Sequence, residues 1–284
     1  MYAKTALLFA ATALGHVIRS EGGFHCSAPE ATEEQKDMMR VFAQKEAANR
    51  AAGIVNAKAA VNVDVYMHAV SASEGGLASD EVLQGQFDTL SEHFGRVGFN
   101  LNYAGHTRTV NADWANDGNG QEMAMKQELR QGDMKAMNFY IIDVLPTASG
   151  YCYYPADAPE GSEARTRDGC TLAIDAVGLI AVHEGGHWFG LLHTFDGDNC
   201  DGPGDLVDDT PAQSGPSSGC PASRDSCPNH PGEDPIHNYM DYTSPYVSPS
   251  PSLSLSLPLT YNMFTNISLL VTAGLASLRA RSTA

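Results

Sequence analysis

Basic residues are scarce in this 284-residue chain. Lys and Arg number 17 against 34 Asp and Glu, which gives a formal net charge of −17 at pH 7, and charged residues of both signs make up only 18%. Nucleic acids and anionic membranes are bound through clusters of Lys and Arg, so this balance argues against both as partners. Long apolar runs are also missing, because none reaches the ~18 residues needed to span a bilayer.

The six cysteines lack the paired C-x-x-C spacing of a zinc ribbon. At the N-terminus, Lys4 precedes a small, apolar stretch over residues 5–15, which predicts a secretory signal peptide over residues 1–18. A buried N-terminal helix is the alternative interpretation. Secretion implies an oxidising compartment, where cysteines can form disulfides. The sequence therefore predicts an extracellular protein.

Strands and helices alternate in the first two thirds of the chain. Alternating apolar residues predict strands over 61–70 and 99–110, and a continuous apolar run predicts a buried strand over 137–145. Apolar spacing and capping residues predict helices over 32–52, 80–94, 120–131 and 175–192. Residues 194–236 are rich in Gly, Asp, Pro and Ser and are predicted to be mostly loop. This order indicates an α/β protein with a mixed or parallel sheet.

Residues 183–193 fit the pattern H-E-x-x-H-x-x-G-x-x-H. On a helix, His183 and His187 lie one turn apart on the same face, the spacing that two imidazoles need to share one zinc ion. Gly190 can end the helix with a positive φ, so that His193 arrives as a third ligand. The fourth position would hold water, and Glu184 would take its proton as general base.

Gly185 and Gly186 lie inside this predicted helix, although each costs up to about 1 kcal/mol there relative to Ala. Metal binding contributes folding free energy and can offset that cost. Tight packing beneath the metal would also require small residues at these positions. The two glycines are therefore expected to lie against a close neighbour.

The chain resembles the pappalysin family of metzincins, and most closely its fungal secreted metalloproteases. The segments that carry the resemblance are 183–195, 205–211, 219–221, 224–227 and 234–242, with weaker matches at 61–68, 150–155 and 168–170. Together they span roughly residues 24–243. The resemblance implies an α/β (α+β) metzincin-like fold with a twisted, mostly parallel sheet, a long active-site helix and an irregular, disulfide-linked C-terminal subdomain.

The resemblance also implies a secreted, monomeric zinc endopeptidase that degrades extracellular protein or peptide substrates. One zinc ion would be bound by His183, His187 and His193, and Glu184 would be the base. The implied organisation has a prosegment or N-terminal extension over residues 19–58 and a catalytic domain over 59–243. That domain divides into subdomains 59–193 and 194–243, and residues 244–284 form an atypical tail.

Two residues of the segment 237–242 have roles in this resemblance. In metzincins a methionine in a tight turn lies beneath the metal, and Met240 would be that residue. A lone Met is more often simple core packing, which is the alternative here. Tyr242 would lean over the zinc and donate its hydroxyl to the oxyanion that forms during hydrolysis.

The family pattern pairs Cys200 with Cys227, and this bridge would close a loop between positions 27 residues apart below the metal site. By loop entropy such a bridge contributes about 3 kcal/mol. Cys152 and Cys170 flank an excursion rich in Pro and Gly and are expected to pair with each other. These two bridges would account for four of the six cysteines.

Cys26 and Cys220 remain. In the family Cys220 would pair with a cysteine just after Met240, but the chain has no cysteine after Cys227. Cys26 precedes the catalytic domain, and its thiolate could occupy the fourth zinc position and keep the enzyme latent. The alternatives are that Cys26 is free or pairs with Cys220.

A dense group of acidic residues lies in the loop Asp196–Asp209. Carboxylates and loop carbonyls at this density suit a hard cation such as Ca²⁺, and the resemblance supports calcium there. A solvated acidic loop without a metal is the alternative interpretation. The acidic residues are Asp196, Asp198, Asp201, Asp205, Asp208 and Asp209.

The tail departs from the family. Residues 244–260 are a Ser/Pro/Leu-rich stretch where family members continue with a cysteine and a closing helix. We interpret this stretch as an imperfect gene model, an interpretation that an uninterrupted family match to residues 244–260 would refute. If the tail is genuine, a second function is a zinc-binding secreted interaction protein with impaired catalysis. The presence of Glu184, which such a protein would not need, favours the enzyme.

Overall fold

The computed structural model describes residues 24–52, 61–116, 120–219 and 221–243. The predicted signal peptide, the tail and Cys220 lie outside these residues. Within them, five strands form one sheet in the order β2-β1-β3-β5-β4. The strands are β1 (Val61–Ser71), β2 (Phe99–Val110), β3 (Met137–Ile142), β4 (Gly150–Cys152) and β5 (Cys170–Ala173).

The sheet is mostly parallel, as predicted. Strand β1 pairs in parallel with both β2 and β3, and β3 pairs in parallel with β5. Only β4 runs antiparallel, with Cys152 opposite Cys170 in β5. Strands β1 and β3 lie in the middle of the sheet, where Val65, Met67 and Phe139 are 0% exposed. The continuous apolar character of β3 follows from burial on both faces.

Five α-helices accompany the sheet in the part of the chain that the structure describes. They are α1 (Glu33–Ala51), α2 (Asp80–Gly95), α3 (Glu122–Leu129), α4 (Glu163–Arg167) and α5 (Leu179–Trp188). Helix α2 begins where the sequence predicts, because the Ser79 side chain accepts a hydrogen bond from the Val82 amide. Its buried face, which includes Leu83, Leu90 and Phe94, packs on the core beside α5. None of the described helices is both long and apolar enough to cross a membrane.

The helix predicted over 175–192 is only partly correct. Helix α5 has 10 residues, Leu179–Trp188, and is not the long helix that the resemblance implies. A separate 3-10 turn, Ile174–Ala176, precedes it. Gly178 has a φ of 108°, which interrupts the helical conformation between the turn and the helix. Strands β4 and β5 and helix α4 were not predicted, because each has five residues or fewer and too little sequence for a periodic pattern.

Both predicted disulfides are present. Cys152–Cys170 joins β4 to β5, and Cys200–Cys227 lies within the irregular segment 194–243. As predicted, the described part of that segment contains turns and bends but no helix or strand. Cys26 is a free, buried thiol, so the interpretation in which it pairs with Cys220 is wrong.

Candidate metal centre and active site

A glycine turn brings the third histidine of the motif back toward α5. Gly190 has a φ of 91°, which favours glycine. The Gly190 amide donates to the His187 carbonyl at 2.8 Å, and the Leu191 amide donates to the Gly186 carbonyl at 3.0 Å. This pair of bonds is the Schellman motif that commonly ends helices. The chain then reverses, and His193 lies beside the histidines of α5.

The three imidazoles converge on one point. The Nε2 atom of His187 lies 3.1 Å from the Nε2 atom of His183 and 3.1 Å from that of His193. Nitrogens bound to a tetrahedral zinc ion at 2.0–2.1 Å would be separated by about 3.3 Å. The spacing of the three nitrogens therefore fits a single zinc-sized ion.

Backbone carbonyls determine which nitrogen of each α5 histidine carries the proton. His183 Nδ1 contacts the Tyr239 carbonyl, and His187 Nδ1 contacts the Leu191 carbonyl at 2.8 Å. A carbonyl only accepts, so both Nδ1 atoms donate and both Nε2 atoms keep a free lone pair. Burial lowers the pKa of all three imidazoles, and that of His193 falls to about 2. Neutral imidazoles with lone pairs facing one point form a donor set for a metal.

Glu184 lies between the two α5 histidines in sequence and is 0% exposed. Burial raises the pKa of its carboxyl to about 8. Its Oε1 atom is buried and makes no hydrogen bond with any residue that the structure describes. A buried carboxylate oxygen without a partner, beside three imidazoles that can bind a metal, fits a role toward a metal-bound solvent molecule. Its Oε2 atom accepts from the Cys26 thiol at 3.4 Å.

The two helical glycines lie against close neighbours, as expected. A Cβ atom at Gly185 would lie 3.0 Å from the Phe94 ring, and one at Gly186 would lie 2.5 Å from the Met240 sulfur. Met240 is 2% exposed, and its carbonyl accepts from the Thr194 amide at 3.2 Å. Met240 therefore lies directly beneath the helix that carries the histidines.

The segment around Cys26 crosses the site as an extended chain. Cys26 forms a parallel bridge with Gly150 at the start of β4. The Ser149 amide donates to the His25 carbonyl at 2.7 Å, and the Ser27 amide donates to the Gly150 carbonyl at 3.0 Å. The segment thus adds to the edge of the sheet beside the histidines.

The Cys26 thiol points into the metal centre. Its sulfur lies 3.4 Å from His187 Nε2, and it belongs with the three histidines to one group of possible ligand atoms within 4.8 Å of one another. Burial, followed by the charge of Glu184, raises the pKa of the thiol. The sequence indicated Cys26 only as one of three possibilities, because no local pattern links residue 26 to residue 187.

Tyr242 closes one side of the site. Its ring lies 5.7 Å from that of His183 and 5.0 Å from that of His193, measured between ring centroids. Its hydroxyl donates to the Cys26 carbonyl at 3.1 Å. The hydroxyl is therefore already bonded to a peptide carbonyl of the chain that lies in the site.

The carboxylates of the acidic loop Asp196–Asp209 do not converge on one point in the described structure. Asp205 is the most enclosed, and burial raises its pKa to about 7, while the Thr210 hydroxyl donates to its Oδ2 at 2.8 Å. Asp196 forms an ion pair with Lys36 at 2.8 Å, and Asp201 lies 3.1 Å from His230. Among the described residues, the one group of three or more His, Cys, Asp or Glu side chains close enough to share an ion is the Cys26–histidine group. Calcium in this loop stays a prediction.

Residues 215–219 read G-x-S-x-G, a pattern typical of serine hydrolases when it links a strand to a helix. Here the pattern lies in an irregular loop, and Ser217 is 1% exposed. The Ser217 hydroxyl accepts from the Gln213 side-chain amide at 3.2 Å and from Arg224 at 3.4 Å. It therefore has a structural role and is not a nucleophile.

Solved structures share the fold that carries this group of histidines. Promirolysin from Tannerella forsythia, solved as a mutant, matches with a TM-score of 0.60 at 18% identity, over 91% of this chain and 96% of that one. Mature mirolysin in complex with a cleaved peptide matches with a TM-score of 0.54 at 22% identity, over 66% of this chain and 85% of that one. At these identities the similarity concerns the fold.

Sequence relatives identify the family. An extracellular metalloprotease of Colletotrichum graminicola is 44% identical over 240 residues, which is 80% of this chain and 85% of that protein. Extracellular metalloprotease 1 of Coccidioides posadasii is 46% identical over 199 residues, 66% of this chain and 71% of that protein. The peptidase M43 family, described as pregnancy-associated plasma protein-A, matches residues 120–250. The chain belongs to this pappalysin family and is an extracellular metalloendopeptidase.

Proposed function

We propose that the protein hydrolyses peptide bonds with one zinc ion held by His183, His187 and His193. The observation that carries this proposal is the convergence of three Nε2 atoms, of which those of His183 and His187 are unprotonated, beside a buried carboxyl group. When bound, zinc lowers the pKa of its water ligand to about 7 and so supplies a nucleophile at neutral pH. The residues of this chain then orient the substrate and move protons.

Glu184 is the proposed general base. It would accept a proton from the attacking water and pass it to the nitrogen of the leaving amine. Burial raises its pKa to about 8, which gives its carboxylate a higher proton affinity than an exposed Glu. The neighbouring Nε2 atoms carry no proton that would compete for this role.

Tyr242 is the proposed donor to the substrate carbonyl oxygen. The support is its hydrogen bond to the Cys26 carbonyl, because Cys26 belongs to a peptide segment lying across the site. A donor already directed at a peptide carbonyl is preorganised to stabilise the negative charge that develops there during attack. Met240, packed against Gly186, would keep α5 and its histidines in place beneath this donor.

The test replaces the base alone. Both proteins in the comparison carry Cys26→Ala, which removes the thiol beside the histidines. In this background, Glu184→Gln is expected to bind one equivalent of zinc and to cleave casein at least about 100-fold more slowly, the usual contribution of a general base. Zinc content is measured by elemental analysis, and hydrolysis is measured with and without a chelator. The matched control is Glu74→Gln, an exposed residue of a 3-10 turn, which should retain full activity.

Two results would contradict the proposal. Absence of stoichiometric zinc from folded wild-type protein would remove the three-histidine site. A chain carrying Cys26→Ala, which lacks the thiol beside the histidines, that binds zinc but cleaves no protein would favour the second candidate, a zinc-binding interaction protein without catalysis. The extracellular relatives support proteins outside the cell as the natural substrates.

We also propose that residues 19–58 are a prosegment and that Cys26 keeps the enzyme latent. The Cys26 sulfur lies 3.4 Å from His187 Nε2, and residues 25–27 pair with residues 149–150 at the start of β4. A thiolate is a zinc ligand and would take the position that water needs. The match with promirolysin covers 91% of this chain and the match with mature mirolysin covers 66%, which supports the assignment of a prosegment.

The latency proposal predicts a gain of activity. The full chain with Cys26→Ala is expected to cleave casein at least about tenfold faster than wild type when assayed before any processing, because no thiolate then competes for the metal. Ser27→Ala, its exposed neighbour, is the matched control and should remain latent. Equal initial rates for Cys26→Ala and wild type, at equal zinc content, would contradict latency.

A further inference from the structure

The three histidines of the metal centre are not oriented in the same way. His183 and His187 each place Nδ1 against a backbone carbonyl. His193 contacts His187 through Nε2, but its Nδ1 has no hydrogen-bond partner among the residues that the structure describes. Metal-binding imidazoles almost always donate from the second nitrogen, because this bond fixes the orientation of the ring. A different contact is therefore expected to orient His193.

The contact that orients His193 is an aromatic stack. The Phe195 ring lies almost parallel to the imidazole, at an angle of 7° with 4.8 Å between centroids. Stacked rings of this kind attract each other beyond the effect of the apolar area that they bury. Rotation of the imidazole about its Cβ–Cγ bond would drive the edge of one ring into the face of the other. The stack therefore restricts the torsion angle that directs Nε2 of His193.

Backbone hydrogen bonds fix the position of Phe195. The Asp196 amide donates to the His193 carbonyl at 3.0 Å, and the Asp198 amide donates to the Phe195 carbonyl at 2.9 Å. Each bond closes a four-residue turn. Both turns lie in the irregular segment that follows α5. The backbone thus places Phe195 beside His193 without a contribution from an ion.

We propose that Phe195 is a positioning residue for His193, whose imidazole plane it holds so that Nε2 points at the zinc position. The phenyl ring has no atom that can bind a metal, so it acts only through His193. This inference rests on the proposed zinc site. Residues that orient metal ligands typically raise metal affinity by about 10- to 100-fold. Phe195 is therefore expected to act on the affinity for zinc.

The first experiment measures the zinc Kd of the full chain by competition with a chromophoric chelator. Phe195→Leu keeps an apolar side chain but loses the planar face, and its Kd is expected to be at least about tenfold above that of wild type. Phe195→Tyr keeps the face and should bind zinc as wild type does. Activity is not the measure, because Phe195 also contacts the Tyr242 ring, with 5.0 Å between centroids. Equal affinity of Phe195→Leu and wild type overturns the inference, as does an equal loss in Phe195→Tyr.

The matched control removes an aromatic contact elsewhere. Phe87, on α2, is 9% exposed, and its ring centroid lies 5.0 Å from that of Tyr103. Phe87→Leu is expected to lower the melting temperature in chelator and to leave the zinc Kd unchanged. A loss of affinity in this control as large as that in Phe195→Leu would indicate general destabilisation and overturn the inference. Wild-type protein that binds no zinc overturns the inference and the proposed function together, whereas equally tight binding by wild type and Phe195→Leu overturns the inference alone.

A second experiment uses wild type alone and does not depend on whether a variant folds. The zinc-loaded full chain is prepared with protonated Phe and His on a deuterated background. Ring protons of Phe195 and His193 are expected to show a nuclear Overhauser effect, because the two rings are stacked. Ring protons of Phe87 should show none to His193. Absence of the effect between Phe195 and His193 overturns the inference, because the stack would then not persist when the ion is bound.

Discussion

At the scale of single residues, the metal centre depends on groups that the motif does not contain. The carbonyls of Tyr239 and Leu191 determine the protonation of His183 and His187, and the Met240 sulfur requires a residue without Cβ at position 186. The pair of glycines, unfavourable by helix propensity, is explained by these contacts. At these positions, contacts with distant residues outweigh the local conformational preference of the residue.

Another buried histidine lies outside the metal centre. His68, in β1, is 0% exposed, with Nδ1 2.8 Å from the Thr107 hydroxyl and Nε2 2.9 Å from Asn138 Oδ1. Its ring stacks on that of Tyr140 with 4.8 Å between centroids. Burial, with a smaller contribution from the charge of Arg130, lowers the pKa of His68 to about 4.

The lowered pKa of His68 predicts that the folded protein loses stability in acid. The folded-state pKa of about 4 lies below the unfolded value of 6.5, so unfolding takes up a proton. The stabilisation is complete above about pH 6.5 and is lost as pH falls from there toward 4. In chelator, the free energy of unfolding should fall by about 2.5 kcal/mol more in wild type than in His68→Gln between pH 7.5 and 4.5, measured by urea titration. Parallel pH profiles for the two proteins would show that His68 does not titrate on unfolding.

At the scale of elements, the two halves of the site are stabilised differently. Helix α5 lies among β4, β5 and α2 and is largely buried. The described part of segment 194–243 has no helix or strand. Hydrogen bonds and ion pairs of side chains stabilise it in place of regular backbone hydrogen bonding. Asp234 forms an ion pair with Arg224 at 2.7 Å and accepts from the Ser226 amide at 3.0 Å. The Cys200–Cys227 disulfide joins two positions 27 residues apart in this segment.

Removal of that disulfide is predicted to destabilise the protein strongly. The double variant Cys200→Ser, Cys227→Ser removes a link across 27 residues and should lower the free energy of unfolding by about 3 kcal/mol, mainly because the unfolded chain regains entropy. Urea titration with chelator present measures the loss without a contribution from the metal. The control is Ser218→Ala, at an exposed position of the same loop, which should leave the free energy of unfolding unchanged. A loss below about 1 kcal/mol would mean that the loop is already ordered without the bridge.

At the scale of the whole molecule, the metal centre joins the main parts of the described structure. Its histidines belong to α5 and to the chain after Gly190, while Cys26 comes from the N-terminal segment. Helix α1 of that segment is attached separately, by the ion pair of Lys36 with Asp196 and by a bond from Gln35 to the Pro155 carbonyl at 3.1 Å. An ion bound at the centre would therefore stabilise contacts between distant parts of the chain.

Metal removal should consequently lower the melting temperature. At a free zinc concentration about 1,000 times its Kd, binding stabilises the folded state by about 4 kcal/mol, which corresponds to a shift of about 10 °C for a chain of this size. Differential scanning fluorimetry with chelator, and then with excess zinc, measures the loss and its recovery. His193→Ala should melt near the chelated wild type in both conditions. A wild-type melting temperature that does not respond to zinc would contradict a site at these histidines.

Sequence alone determined the features that depend on neighbouring residues. The spacing of His183 and His187 on one helical face, the turn at Gly190 and strands β1, β2 and β3 all follow from local periodicity and backbone preference. Resemblance supplied the two disulfides. Only the tertiary structure decided that α5 begins after Gly178, that β4 pairs with Cys26, and that Phe24 borders a pocket beside His183. The contacts of Cys26 with β4 and of Phe24 with His183 join residues more than 100 positions apart. No pattern within either segment indicates the other, because such pairings arise only when the whole chain packs.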